Sequence, residues 1–125
     1  MNKGFNFFPV STEYILRKIE SEKRNIENQK GDVANLKGDI ADIRERKSRR
    51  TDHYRTILKS ASKSNKQNIR DRKSQEWESF ARKIDQKKEN IQKCKDKIKR
   101  IKEKIKGLRE DLKIQKQRDR KNKKR

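Results

Sequence analysis

Lys93, Lys97, Arg100 and Lys104 fall four, three and four residues apart, the spacing that lines side chains along one helix face. A rigid row of cations does one kind of chemistry well. It neutralises a line of phosphates or carboxylates and releases their condensed counterions. Lys95, Lys99, Lys102, Lys106, Arg109 and Lys113 cover the neighbouring faces of the same helix. A second group, Arg44, Arg46, Arg49, Arg50, Arg70, Arg72 and Lys73, gathers around the middle of the chain, with Lys47 and Arg55 beside it. A third is the run KQRDRKNKKR at residues 116–125. No aromatic residues are interleaved in these clusters, which argues against base stacking on single strands. Contacts to a nucleic-acid backbone, low in sequence specificity, fit them better.

Other chemistry finds few residues to work with. His53 is the sole histidine and Cys94 the sole cysteine, and no Gly-rich phosphate loop is visible. A metal site at His53 would lack companion ligands, and one cysteine forms no disulfide framework. The expectation is therefore a protein without enzymatic activity or cofactor, with His53 at the surface and Cys94 acting as a small buried hydrophobe. No apolar run approaches the roughly 18–20 residues needed to cross a bilayer, and the start of the chain makes a poor signal peptide. A cytoplasmic location, or one inside a virion or secretion assembly, fits these features.

Composition narrows the elements that can carry such charges. Of 125 residues, 47% are charged and 26% hydrophobic, with a net charge of +21. That is too little apolar surface for a thick globular core, leaving disorder or long helices. Pro9 is the only proline and there are four glycines, so almost nothing after residue 10 breaks a helix. Residues 66–125 hold 25 Lys/Arg against 10 Asp/Glu, which makes the second half the more cationic one.

Periodicity decides for helices. Residues 31–44, GDVANLKGDIADIR, repeat a seven-residue pattern. Extended in steps of seven, one row reads Ile19, Ile26, Val33, Ile40, Lys47, Tyr54 and Ala61. Its companion reads Ile15, Glu22, Gln29, Leu36, Ile43, Arg50 and Ile57. The second half carries Trp77, Ile84, Ile91, Ile98, Ile105 and Leu112, beside Phe80, Lys87, Cys94, Ile101 and Leu108. These are the a and d rows of a coiled coil. The two halves are out of phase by two residues, and the polar stretch between them suits a turn.

The expected fold is thus all-α: an antiparallel two-helix coiled-coil hairpin, which could dimerise into a four-helix bundle. The segments are an extended aromatic start at 1–10, a first helix at 11–60, a turn at 61–68, a basic second helix at 69–117 and a basic disordered tail at 118–125. Partners whose numbers sum to 127 face each other, so Ile19 meets Leu108 and Val33 meets Cys94. The same rule sets Arg50 against Trp77 and Lys47 against Phe80, where a cation can lie over a ring. Each arm would run about 75 Å at 1.5 Å per residue. Ser11 or Thr12 caps the first helix, with Val10 and Ile15 as a hydrophobic staple.

Two features suggest protein contacts. Gly31, Ala34, Gly38 and Ala41 form a stripe of small residues nearly opposite the seam, where a second helix can approach closely or where the face is simply solvated. Phe5, Phe7 and Phe8 either cover the open end near Leu112 and Ile114 or anchor the chain in a partner's groove. Weak membrane-surface contact is the least favoured role for them. The function expected is binding of an anionic partner, most of all nucleic-acid backbone, through the second arm and the turn. An acidic protein is a further possible partner, and self-association is expected. The alternative is an adaptor of a secretion apparatus or phage particle that pairs with another helical protein.

Overall fold

The computed structural model describes residues 11–123, and Phe5, Phe7, Phe8, Pro9 and Val10 lie outside them. Two α-helices account for nearly all of this span, α1 over Thr12–Ser60 and α2 over Lys63–Lys123. Together they form an all-α antiparallel helical hairpin. Each helix starts at a serine cap. The Ser11 hydroxyl accepts from the Tyr14 N–H at 3.1 Å, and the Ser62 hydroxyl from the Asn65 N–H at 3.4 Å. Such a cap satisfies one of the amide donors that a helix start leaves without an intrahelical partner.

The turn is shorter than the polar segment 61–68 suggests. Only Ala61 and Ser62 lie outside the helices, because Ser62 caps α2 and its carbonyl accepts from the Lys66 N–H at 2.9 Å. The second helix also continues past residue 117, to Lys123. There Thr12 Oγ1 donates to Asp119 Oδ2 at 3.1 Å, and Gln115 Nε2 donates to Asp119 Oδ1 at 3.2 Å. These bonds hold a segment whose composition alone reads as frayed.

The chain divides into two compact units. Among the described residues, the first comprises 11–30 and 95–123. Its core is Ile15, Ile19, Ile26 and Ile105, with Ile98, Ile101, Leu108 and Leu112 packed against them. Gln115 is also buried, continuing by one heptad step the row that ends in Ile101 and Leu108. Glu22, in the d row of α1, is bound by Lys104 at 3.6 Å. The Gln29 Oε1 atom is buried with no hydrogen-bond partner among the described residues. Tyr14, Leu16 and Ile114 stay exposed.

The second unit comprises Gly31–Cys94. Ile40, Ile43, Tyr54 and Ile91 are its buried residues. Val33, Leu36, Ile57, Trp77, Phe80, Ile84 and Cys94 are half-buried around them, so Cys94 is less enclosed than its place in the seam suggests. Polar seam residues find partners here too. Lys87 reaches Asp39 at 3.3 Å, and Arg50 reaches Glu76 at 2.7 Å.

A common rule underlies these polar contacts. A coiled-coil residue just before an a position, called g, flanks the seam. Glu22, Arg50 and Lys87 occupy d positions, and their partners Lys104, Glu76 and Asp39 occupy g positions of the other helix. Each of these charged side chains in the seam is therefore met by an opposite charge at its edge.

Candidate anion-binding surface

The midchain cations fall into two groups. Arg44, Arg46, Arg70 and Arg72 are exposed and form no ion pair among the described residues. Arg49 bridges to Glu45 at 3.4 Å and Arg55 to Asp52 at 3.5 Å, each within one turn of α1. Exposed pairs of this kind contribute little energy and remain open to exchange for a stronger anion.

Arg50 and Lys73 are engaged within the fold. Arg50 donates from Nε to Glu76 Oε1 at 2.7 Å and from Nη2 to Oε2 at 3.2 Å. The Tyr54 hydroxyl donates a further hydrogen bond to the same carboxylate. The hydrogen bond from Arg50, then that from Tyr54, holds the Glu76 carboxyl below its ordinary range. Reciprocally, the bond to Glu76 raises the Tyr54 phenol and the Arg50 guanidinium above theirs.

Around this carboxylate runs a ladder of edge-to-face rings. His53 and Tyr54 stand 5.6 Å apart, Tyr54 and Trp77 5.9 Å, and Trp77 and Phe80 5.8 Å. Lys47 and Lys73 lie over Trp77 at 5.6 and 5.4 Å, and Arg50 lies over Tyr54 at 5.1 Å. The expected cation–ring pairs are thus shifted: Arg50 takes Tyr54 in place of Trp77, and Lys47 takes Trp77 in place of Phe80. Glu76 is the cause, since it draws Arg50 to the edge of the seam. Aromatics and cations do mix in this part of the fold, contrary to the sequence expectation, but these contacts are internal to the hairpin.

Along α2 the cations of the sequence row are separated by their surroundings. Lys93 is exposed in the second unit. In the first unit Lys97 and Arg100 are exposed without ion pairs among the described residues, whereas Lys104 is held by Glu22. Gly31, Ala34, Gly38 and Ala41 are all exposed, and no atom lies within 4 Å of where a Cβ would stand at either glycine. Among the described residues, no group of three or more His, Cys, Asp or Glu is placed to hold a metal ion. Neither of the described helices is long and apolar enough to cross a membrane.

Sequence reasoning missed two elements of this surface. Glu76 was detectable as the acidic g residue beside Arg50, the one arginine in a seam row. Gln115 was detectable as the next heptad step after Leu108. No protein-family model, curated protein or solved structure matches this chain.

Proposed function

We propose that this protein is a non-enzymatic helical hairpin that binds an extended polyanion, the phosphodiester backbone of nucleic acid, without reading its sequence. The carrying observation is the excess of exposed cations on α2 that have no partner among the described residues. Lys97, Arg100, Arg70 and Arg72 are of this kind. A charge of +21 over 125 residues carries a self-repulsion that an anionic partner relieves. Basic side chains on α2, whose aromatics Trp77 and Phe80 lie in the seam rows, favour contact with phosphates over contact with bases.

The test is fluorescence anisotropy with labelled 20-nucleotide single strands and 20-base-pair duplexes of unrelated sequence. Binding at low salt should be similar across sequences. Neutralising six or more phosphates should cost about 10³-fold in affinity between 50 and 200 mM salt. No binding at 50 mM salt would remove this reading.

A second reading, assembly with another helical protein, draws on the open space over Gly31 and Gly38. There a neighbouring backbone meets no side chain on its approach. Loss of association in Gly38→Leu, with helicity retained, would favour it.

A further inference from the structure

Within the first unit, one face of α2 carries a stripe of cations with no acid among them. Lys95, Lys99, Lys102, Lys106, Arg109 and Lys113 alternate in steps of four and three, and Lys116 and Arg120 extend the same stripe. At 100° per residue all eight fall within roughly 100° of arc, immediately beside the seam. The carboxylates Asp96, Glu103 and Glu110 form the next row round the helix, leaving the stripe free of acid. All eight residues are exposed, and none forms an ion pair or a side-chain hydrogen bond among the described residues.

The acids that the neighbouring helix brings to this side, Glu20 and Glu27, line a groove at Lys102 but form no ion pair with the stripe. Lys102 and Arg109 border a shallow groove whose other rim is Lys23 and whose floor is Ile26 and Ile105. Lys23 is turned to Glu20 at 3.6 Å and Lys30 to Glu27 at 3.7 Å, both within α1. So the acids of α1 on this side are already matched by lysines of their own helix. Lys102 and Arg109 thus keep no carboxylate partner of their own, and an anion entering the groove would meet Lys23 on its other rim as well.

We infer that this stripe, with the groove beside it, is the seat of a single-stranded nucleic acid laid lengthwise along α2. The inference rests on the proposed function above and adds to it both a place and a strandedness. From Lys95 to Arg120 the stripe spans about 37 Å, with a cation every ~5 Å. A flexible single strand can follow that line and bring successive phosphates to successive cations. A duplex strand winds away from a straight line and returns about every 34 Å, so the stripe meets it only where the backbone crosses. With no ring on the stripe, binding is electrostatic and tolerant of base composition, unlike the stacking platforms usual for single strands.

The test compares two variants that remove the same number of charges. One is Lys102→Gln/Lys106→Gln/Arg109→Gln, on the stripe. The other is Lys18→Gln/Lys59→Gln/Arg82→Gln, exposed cations off the stripe, and circular dichroism checks that both keep their helicity. Affinity for a labelled 20-nucleotide single strand and a 20-base-pair duplex is measured from 50 to 200 mM salt. The stripe variant should flatten the single-strand log–log slope by about 2, at roughly 0.7 for each phosphate no longer neutralised. The off-stripe variant should change it by less than about half a unit, and the wild-type protein should prefer the single strand. Equal flattening in both variants, or a preference for duplex, would overturn the inference while leaving backbone binding in place. Failure of the wild-type protein to bind either oligonucleotide would overturn both.

Discussion

Arg50 and Glu76 meet across the two helices in a two-pronged ion pair, Nε to Oε1 at 2.7 Å and Nη2 to Oε2 at 3.2 Å, and the buried Tyr54 completes it. The direction of each titration sets how this cluster responds to pH. Glu76 has its carboxyl held below the ordinary 4.5, so the unfolded chain binds its proton more readily than the folded one. The contribution of Glu76 is therefore complete above about pH 4.5 and is lost as pH falls through the lower folded value. The Tyr54 phenol is raised above 10.0, so its contribution is complete below that pH and is lost as pH rises through the folded value. Tyr54→Phe should cost roughly 1 kcal/mol at pH 7, the worth of one hydrogen bond. Urea unfolding along a descending pH series from pH 7 checks this, and the gap between wild type and variant should shrink as the folded Glu76 takes up its proton. A gap that outlasts protonation of Glu76, followed by NMR of its carboxyl carbon, would mean that Glu76 is not its acceptor.

Edge charges that match the seam also fix the register. Glu22 lies on Lys104, Lys87 on Asp39 and Arg50 on Glu76, at 3.6, 3.3 and 2.7 Å. A slip of one heptad toward the C-terminus would place Glu22 against Asp111, Lys87 against Arg46 and Arg50 against Lys83, every pair repulsive. Glu22→Lys should lower thermal stability by on the order of 1 kcal/mol, since Lys104 is half exposed. Lys104→Glu in the same chain should recover part of that loss. Additive losses in the double variant would contradict the pairing.

The glycines of the small-residue stripe stand in open helix. Gly31→Ala and Gly38→Ala meet no atom within 4 Å, so each should stabilise the protein by about 1 kcal/mol through helix propensity. Thermal unfolding reads this directly. Destabilisation would show that another helix occupies that face in solution, and would favour the assembly reading.

Cys94 tests the direction of the chain. It is half-buried within an antiparallel hairpin, so mild oxidation should leave a single monomer band on a non-reducing gel. Two chains associated in parallel would bring their Cys94 thiols together and give a covalent dimer.

The seam was legible because burial follows a seven-residue period that the sequence states directly. Every residue of the two α1 rows is buried or half-buried, Lys47 and Arg50 included. What stayed hidden depended on partners far apart in sequence. Nothing local says that Arg50 turns to Glu76 in place of Trp77, because a flexible guanidinium chooses among acceptors that only the fold brings within reach. The extent of α2 was hidden for a similar reason. Residues 116–123 read as a solvated basic run until Asp119 is seen to accept from Thr12, at the other end of the chain. For the charge surface, the sequence marked Lys93, Lys97, Arg100 and Lys104 as one row. Pairing of Lys104 with Glu22 takes it out, and the stripe without ion pairs lies on the opposite face of α2.

Recovery of the tagged full-length protein from native lysate, with and without nuclease, bears most directly on what the charge is for. Binding of phosphodiester backbone predicts that nucleic acid of mixed sequence is recovered at low salt, and that accompanying proteins disappear after nuclease. A stoichiometric protein partner that persists through nuclease, with no nucleic acid recovered before it, would contradict the account.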